Sequence, residues 1–160
     1  MSKVPDASAQ ERLRIIQNSR SVALVGVSNN PLRSSNFVAS YLIRTNFRIY
    51  MVNPMYDEVL EMKSYASLHD LPEVPDIVDV FRRHDAIPEV ADEAIAVGAK
   101  VLWLQLGLRH DEAAQKAVDA GLLVVQDRCL KIEHARFSGR LNLAGFNTGV
   151  ISSKRRRPID

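Results

Sequence analysis

Val22-Ala23-Leu24-Val25-Gly26-Val27-Ser28-Asn29-Asn30-Pro31-Leu32-Arg33 is the stretch that decides the fold. An apolar run of strand length enters Gly26, and a helical pattern opens just past Pro31. A helix N-terminus offers unpaired N–H groups and the positive end of the helix dipole. α/β proteins hold nucleotide phosphates there. The dinucleotide fingerprint G-x-G-x-x-G is altered, with Gly26, Ser28 and Pro31 where its glycines are expected. Gly26 permits a tight turn and a close ligand approach, and Ser28 adds a hydroxyl donor. Arg33 is expected in the first helical turn, where its charge opposes the dipole unless an anion sits there.

Outward from this stretch the chain alternates. Residues 9–18 read as a short amphipathic lead-in helix, and residues 21–27 as the first strand. Phe37, Val38, Tyr41 and Leu42 give residues 33–45 a helical period, and residues 47–52 form the next strand, stopped by Asn53-Pro54. Strands are expected again at 76–81, 101–106 and 122–125, with helices at 84–97, 111–120 and 129–137. Strands built almost wholly from Val, Leu and Ile, separated by helices, imply a parallel sheet covered on both faces. With right-handed crossovers this is an α/β, Rossmann-like doubly wound domain of about five strands. Residues 1–137 make up that domain. Residues 138–160, rich in Gly, Asn and Ser, read as a C-terminal extension whose Leu141, Leu143, Phe146 and Ile151 suggest docking, followed by a basic tail.

Composition narrows the function. At 160 residues, 46% hydrophobic and 25% charged, the chain is an ordinary globular domain. Formal net charge is +2, and the tail Lys154-Arg155-Arg156-Arg157 carries four cations, so the rest of the chain stands at −2. Nucleic acid is therefore not an expected partner. A single cysteine excludes an internal disulfide framework, and no apolar run reaches membrane-spanning length. The expected location is the cytoplasm.

Ligands of doubly wound sheets bind outside the carboxyl ends of the strands, at the point where strand order reverses. The second strand ends Met51-Val52-Asn53-Pro54-Met55-Tyr56, without the acid that NAD enzymes use on the ribose 2′-hydroxyl. Asn53 and Pro54 can instead line an adenine or ribose pocket, or form a plain turn. Phe81-Arg82-Arg83 closes the third strand, where guanidiniums beside an aromatic ring can bind phosphate or stack on adenine. His69, His84, His110 and His134 lie in different elements without metal-ligand spacing. Cys129, after Asp127-Arg128, reads as a buried inert thiol before it reads as a redox group or a mixed-disulfide partner. Asp76, Asp79 and Asp127 are scattered and make no acid–base pair. No Ser-His-Asp order, P-loop or nucleophile elbow is present.

Taken in order, seven pieces resemble the stand-alone CoA-binding protein family. They are Gly26-Val27-Ser28; Arg33; Val52-Asn53-Pro54-Met55-Tyr56; Asp76-Ile77-Val78-Asp79-Val80-Phe81-Arg82-Arg83; Gly98-Ala99-Lys100; Trp103-Leu104-Gln105-Leu106-Gly107; and Asp127-Arg128-Cys129-Leu130-Lys131-Ile132-Glu133-His134. The resemblance covers residues 11–137. That family shares its Rossmann-like fold with the CoA-binding domain of succinyl-CoA synthetase α subunits and of NDP-forming acyl-CoA synthetases.

The resemblance implies a binding, carrier or sensor protein for coenzyme A or an acyl-CoA. Gly26, Ser28 and Arg33 would face the phosphates, and Asn53, Pro54 and Tyr56 would line the nucleotide end. Phe81 and Arg82 would flank the pantetheine path or pyrophosphate, with Gln105 and Gly107 on a neighbouring loop. One departure is Ser34-Ser35 beside Arg33, where a proline or acid is often found. The synthetases also use a phosphohistidine outside this segment and a separate nucleotide-binding domain, so complete catalytic machinery is not expected. Homodimerisation stays open. An NAD(P)-binding oxidoreductase or redox sensor is the alternative.

Overall fold

The structure, a computed structural model, describes residues 4–143. Seven strands form one sheet: β1 (Ser21–Val25), β2 (Arg48–Val52), β3 (Glu58–Val59), β4 (Met62–Tyr65), β5 (Ile77–Val80), β6 (Val101–Leu104) and β7 (Leu123–Val125). Their order is β3-β4-β2-β1-β5-β6-β7, and every pairing is parallel except β3 with β4. Five helices accompany them: α1 (Ala9–Asn18), α2 (Ser34–Leu42), α3 (Ile87–Val97), α4 (Asp111–Asp119) and α5 (Leu130–Leu143). None is long and apolar enough to cross a membrane.

Burial on both faces explains the largely apolar strands. All residues of β1, β5 and β6 are buried. On one face Val22, Leu24, Met51 and Trp103 pack under α1, α2 and α5, through Ile15, Val38, Leu42 and Leu130. On the other, Ala23, Val78, Leu102 and Leu104 pack under α3 and α4, whose alanines let the helices lie close to the sheet. Gly98 ends α3 with φ of 85°, a left-handed stop that its lack of a Cβ permits.

Three expectations are corrected. The sheet has seven strands because residues 58–65 form an edge hairpin, with Leu60 and Glu61 both at positive φ in its turn. Such turns usually announce themselves with Asn-Gly or Gly, and this one does not. Arg33 is not in the first turn of α2: it precedes the helix with extended backbone, and Ser34 is the first helical residue. Finally, α5 runs through Gly139 to Leu143, so the extension does not begin as a loop at Ser138. One glycine costs a helix only about 1 kcal/mol. Phe146, Ile151 and the tail Lys154–Arg157 lie outside the described residues.

α1 and α5 are locked together by a buried ion pair. Arg12 Nε donates to Glu133 Oε1 at 2.6 Å, and Arg12 Nη1 donates to the Ala7 carbonyl at 2.6 Å. Arg136 Nη1 lies 3.1 Å from the other Glu133 oxygen. α2 and α5 meet at His134, whose Nδ1 lies 2.8 Å from the Tyr41 hydroxyl and whose ring packs against Tyr41 and Phe47. Burial lowers the His134 pKa from the ordinary 6.5 to about 4. The unfolded chain therefore takes up this proton near pH 6.5 and the folded chain only near pH 4. Stability should fall by at most about 3 kcal/mol as pH drops through that window. Thermal melts from pH 7 to pH 4 should show a shallower slope for His134→Gln. Equal slopes would remove His134 as the source.

Candidate functional site

From β1 the chain winds outward to β2 and, through the edge hairpin, to β4. It then crosses back to β5 on the other side of β1. Strand order thus reverses between β1 and β5, and the loops leaving them flank a crevice. Gly26 ends β1 with φ of 88°, and a Cβ there would stand 3.0 Å from Arg82 Cδ and 3.2 Å from the Phe81 carbonyl carbon. Only glycine lets the two loops lie this close.

The β1–α2 loop is held from within. Ser28 Oγ accepts from the Asn30 N–H at 3.0 Å, and the Ser28 N–H donates to Ser35 Oγ at 2.9 Å. Asn36 Nδ2 donates to the Ser28 carbonyl at 2.9 Å. The buried Ser35 and Asn36 thus turn back from the start of α2 to fix the loop. No side chain caps α2, and no acid occupies its first turn. This N-terminus keeps its electropositive character.

Two cavities open along the crevice. The larger, about 640 Å³, is lined by Gly26, Asn53, Pro54 and Met55, with Arg82 at the switch point and His69, Glu89 and Glu93 opposite. The smaller, about 330 Å³, runs between α2 and α5 over Phe81 and Gln105. Its walls include Ser34, Val38, Leu106 and Cys129, and no carboxylate lines it. Arg82 lines both cavities. Among the described residues, neither Arg82 nor Arg33 is in an ion pair, so both guanidiniums are available to an anion.

The structure therefore brings Gly26, Asn53, Pro54, Phe81, Arg82 and Gln105 to the cavities. Asn53 shapes its wall more than it grips: its amide donates to the Val27 carbonyl and accepts from the Met55 N–H, both at 2.9 Å. Gln105 Oε1 accepts from the Leu130 N–H at 3.0 Å, which ties the crevice floor to the start of α5. Ser28, Arg33, Tyr56 and Gly107 do not line either cavity. Tyr56 packs against the core under α2, and the Gly107 N–H donates to Asp127 Oδ1 at 2.7 Å.

Several residues were missed. Ser34 and Val38 enter from α2, while His69, Glu89 and Glu93 enter from the far side of the sheet; Cys129, already singled out as a thiol, lies just before α5 and lines the smaller cavity. The histidines also do not all stand apart, since the His84 and His110 rings stack with centroids 4.8 Å apart. Parallel pairing of β5 with β6 carries their loops together, which sequence spacing cannot show. The described residues nonetheless contain no cluster of three metal-ligating side chains.

Known proteins share this chain's sequence and fold. A family model described as "CoA binding domain" matches residues 20–135. The uncharacterized protein YneT of Bacillus subtilis (strain 168) is 39% identical over 128 residues, covering 80% of this chain and 95% of that protein. A solved hypothetical protein from Pyrococcus horikoshii OT3 superposes with a TM-score of 0.80 at 37% identity, covering 87% of this chain and 100% of that one. An ADP-forming acetate–CoA ligase of Methanocaldococcus jannaschii is 30% identical over 88 residues, covering 55% of this chain but only 12% of the ligase.

Proposed function

This chain belongs to the CoA binding domain family, and on that premise we propose that it binds coenzyme A or an acyl-CoA as a single-domain carrier or sensor. The observation that carries the reading is the pair of cavities meeting across Gly26 at Arg82, which forms no ion pair among the described residues. Coenzyme A is a nucleotide joined through a pyrophosphate to a long, mostly apolar pantetheine arm. Its parts match this sequence of surfaces. The larger cavity with Asn53 and Pro54 takes the nucleotide, and Arg82 with the uncapped N-terminus of α2 takes phosphate charge. The crevice over Phe81 takes the arm. Gly26 supplies the cradle, because any side chain there would fill the space against Arg82. The chain's part is recognition, with no catalytic step assigned to it. With one cysteine and no disulfide framework, the cytoplasm is its proposed location.

Thermal unfolding tests the reading. Tm should rise with CoA concentration by mass action, by about 2.7 kcal/mol of added stability when CoA is a hundredfold above its Kd. No shift at millimolar CoA, together with a clear shift for NAD(H), would replace this reading with the dinucleotide one. Arg82→Ala should weaken CoA by roughly 1.5–3 kcal/mol, the worth of a charge-assisted contact. It should barely move the Tm of the free protein, because the Arg82 side chain is exposed.

A further inference from the structure

Asp79, in the centre of β5, is wholly buried, and neither of its carboxylate oxygens has a hydrogen-bond partner among the described residues. Its neighbours across the strands are Leu24 on β1 and Trp103 on β6. Strand alternation sets it on the face covered by α2 and α5, the same face as Ile77 and Phe81. Trp103 gives its indole N–H to the Arg128 carbonyl, so it offers Asp79 no donor. Burial pushes the carboxyl pKa well above the usual range. A carboxyl buried without counter-charge or hydrogen-bond partner favours its neutral form, which carries an O–H donor. Nothing in the parallel ladder requires it: a valine would fit this strand and cost less. An uncompensated polar group in a central strand, at the switch point, marks a place where stability has been given up for another end.

The next row of the same face shows what that end is. Phe81 follows Asp79 by two residues and Gln105 follows Trp103 by two, and both form the floor of the 330 Å³ crevice. Asp79 lies one row beneath that floor, roughly 7 Å along the strands. Phe81 and Cys129, both only partly buried, line the crevice above that row.

The geometry points to Asp79 as the inner polar stop of the crevice, donating its O–H to the carbonyl oxygen of a thioester carried on the pantetheine arm. This rests on the reading that the crevice takes that arm. It deepens the reading by favouring an acyl-CoA over free CoA, because a thiol is a poor acceptor and a thioester carbonyl a good one. Because Asp79 is wholly buried, the crevice floor at Phe81 must open for the arm to reach it.

Titration calorimetry with CoA and acetyl-CoA, on the wild type, Asp79→Asn and Asp79→Val, tests this. Wild type should bind acetyl-CoA about tenfold tighter than CoA, the worth of one good hydrogen bond. Asp79→Val should fold with an equal or higher Tm and lose that preference. Asp79→Asn, which keeps a donor, should retain part of it and serves if the valine variant does not fold. Equal binding of the two ligands by wild type, or a preference that survives Asp79→Val, would overturn the assignment while leaving CoA binding intact. Absence of binding by either ligand would overturn the underlying reading as well.

Discussion

Replacing Glu133 with alanine should cost about 3–5 kcal/mol of stability, because it leaves the Arg12 guanidinium buried without its counter-charge. Arg12 and Glu133 are both almost fully buried and meet at 2.6 Å. For a chain of this size the loss corresponds to a Tm lower by roughly 6–20 °C. The pair fastens α1 to α5, so the damage should centre on α1, which hydrogen exchange can locate. Removing both charges with well-packed apolar residues, Arg12→Met with Glu133→Leu, should recover most of the loss, since a buried ion pair roughly breaks even against a hydrophobic contact. A loss below about 1 kcal/mol for Glu133→Ala would show that the pair behaves like a surface salt bridge.

Gly26→Ala should damage binding and folding together. The φ of 88° is strained for any residue with a Cβ, and that Cβ would meet Arg82 Cδ at 3.0 Å and the Phe81 backbone at 3.2 Å. The arginine stem can shift, but the Phe81 backbone belongs to the turn leaving β5 and cannot follow. Strain of this kind costs roughly 1–3 kcal/mol. The displaced Arg82 should also weaken CoA more than the stability loss alone explains. Urea melts with and without CoA separate the two. Gly26→Ala with full CoA affinity would mean that Arg82 does not need its place over the loop.

The parts of the fold that were legible are those governed by one local rule. Runs dominated by Val, Leu and Ile declared β1, β5 and β6 because both of their faces are buried, with Asp79 interrupting β5. The 3.6-residue period with Gly98 as a stop declared α3. Gly26 was legible as a close approach, though not what approaches it. The edge hairpin was hidden because its strands are very short and Leu60-Glu61 carry no turn signature. The full length of α5 was hidden because Gly139 and its polar neighbours look like a stop. At the site, residues at the strand ends could be named from the chain alone. Those delivered by helix packing, such as Ser34 and Val38, could not. Asp79 was visible as a residue but not as an anomaly, because only the packed structure shows that no described residue answers it.

The edge hairpin also bears on self-association. A parallel sheet ending at β2 or β4 would leave a row of free backbone groups, a template for another chain. Instead the outermost strand on that side is β3, two residues long, and on the opposite side β7, three residues long. Neither margin is long enough to seed a continuous ladder between molecules. Among the described residues, the margins of this sheet are thus poor templates for strand pairing between copies.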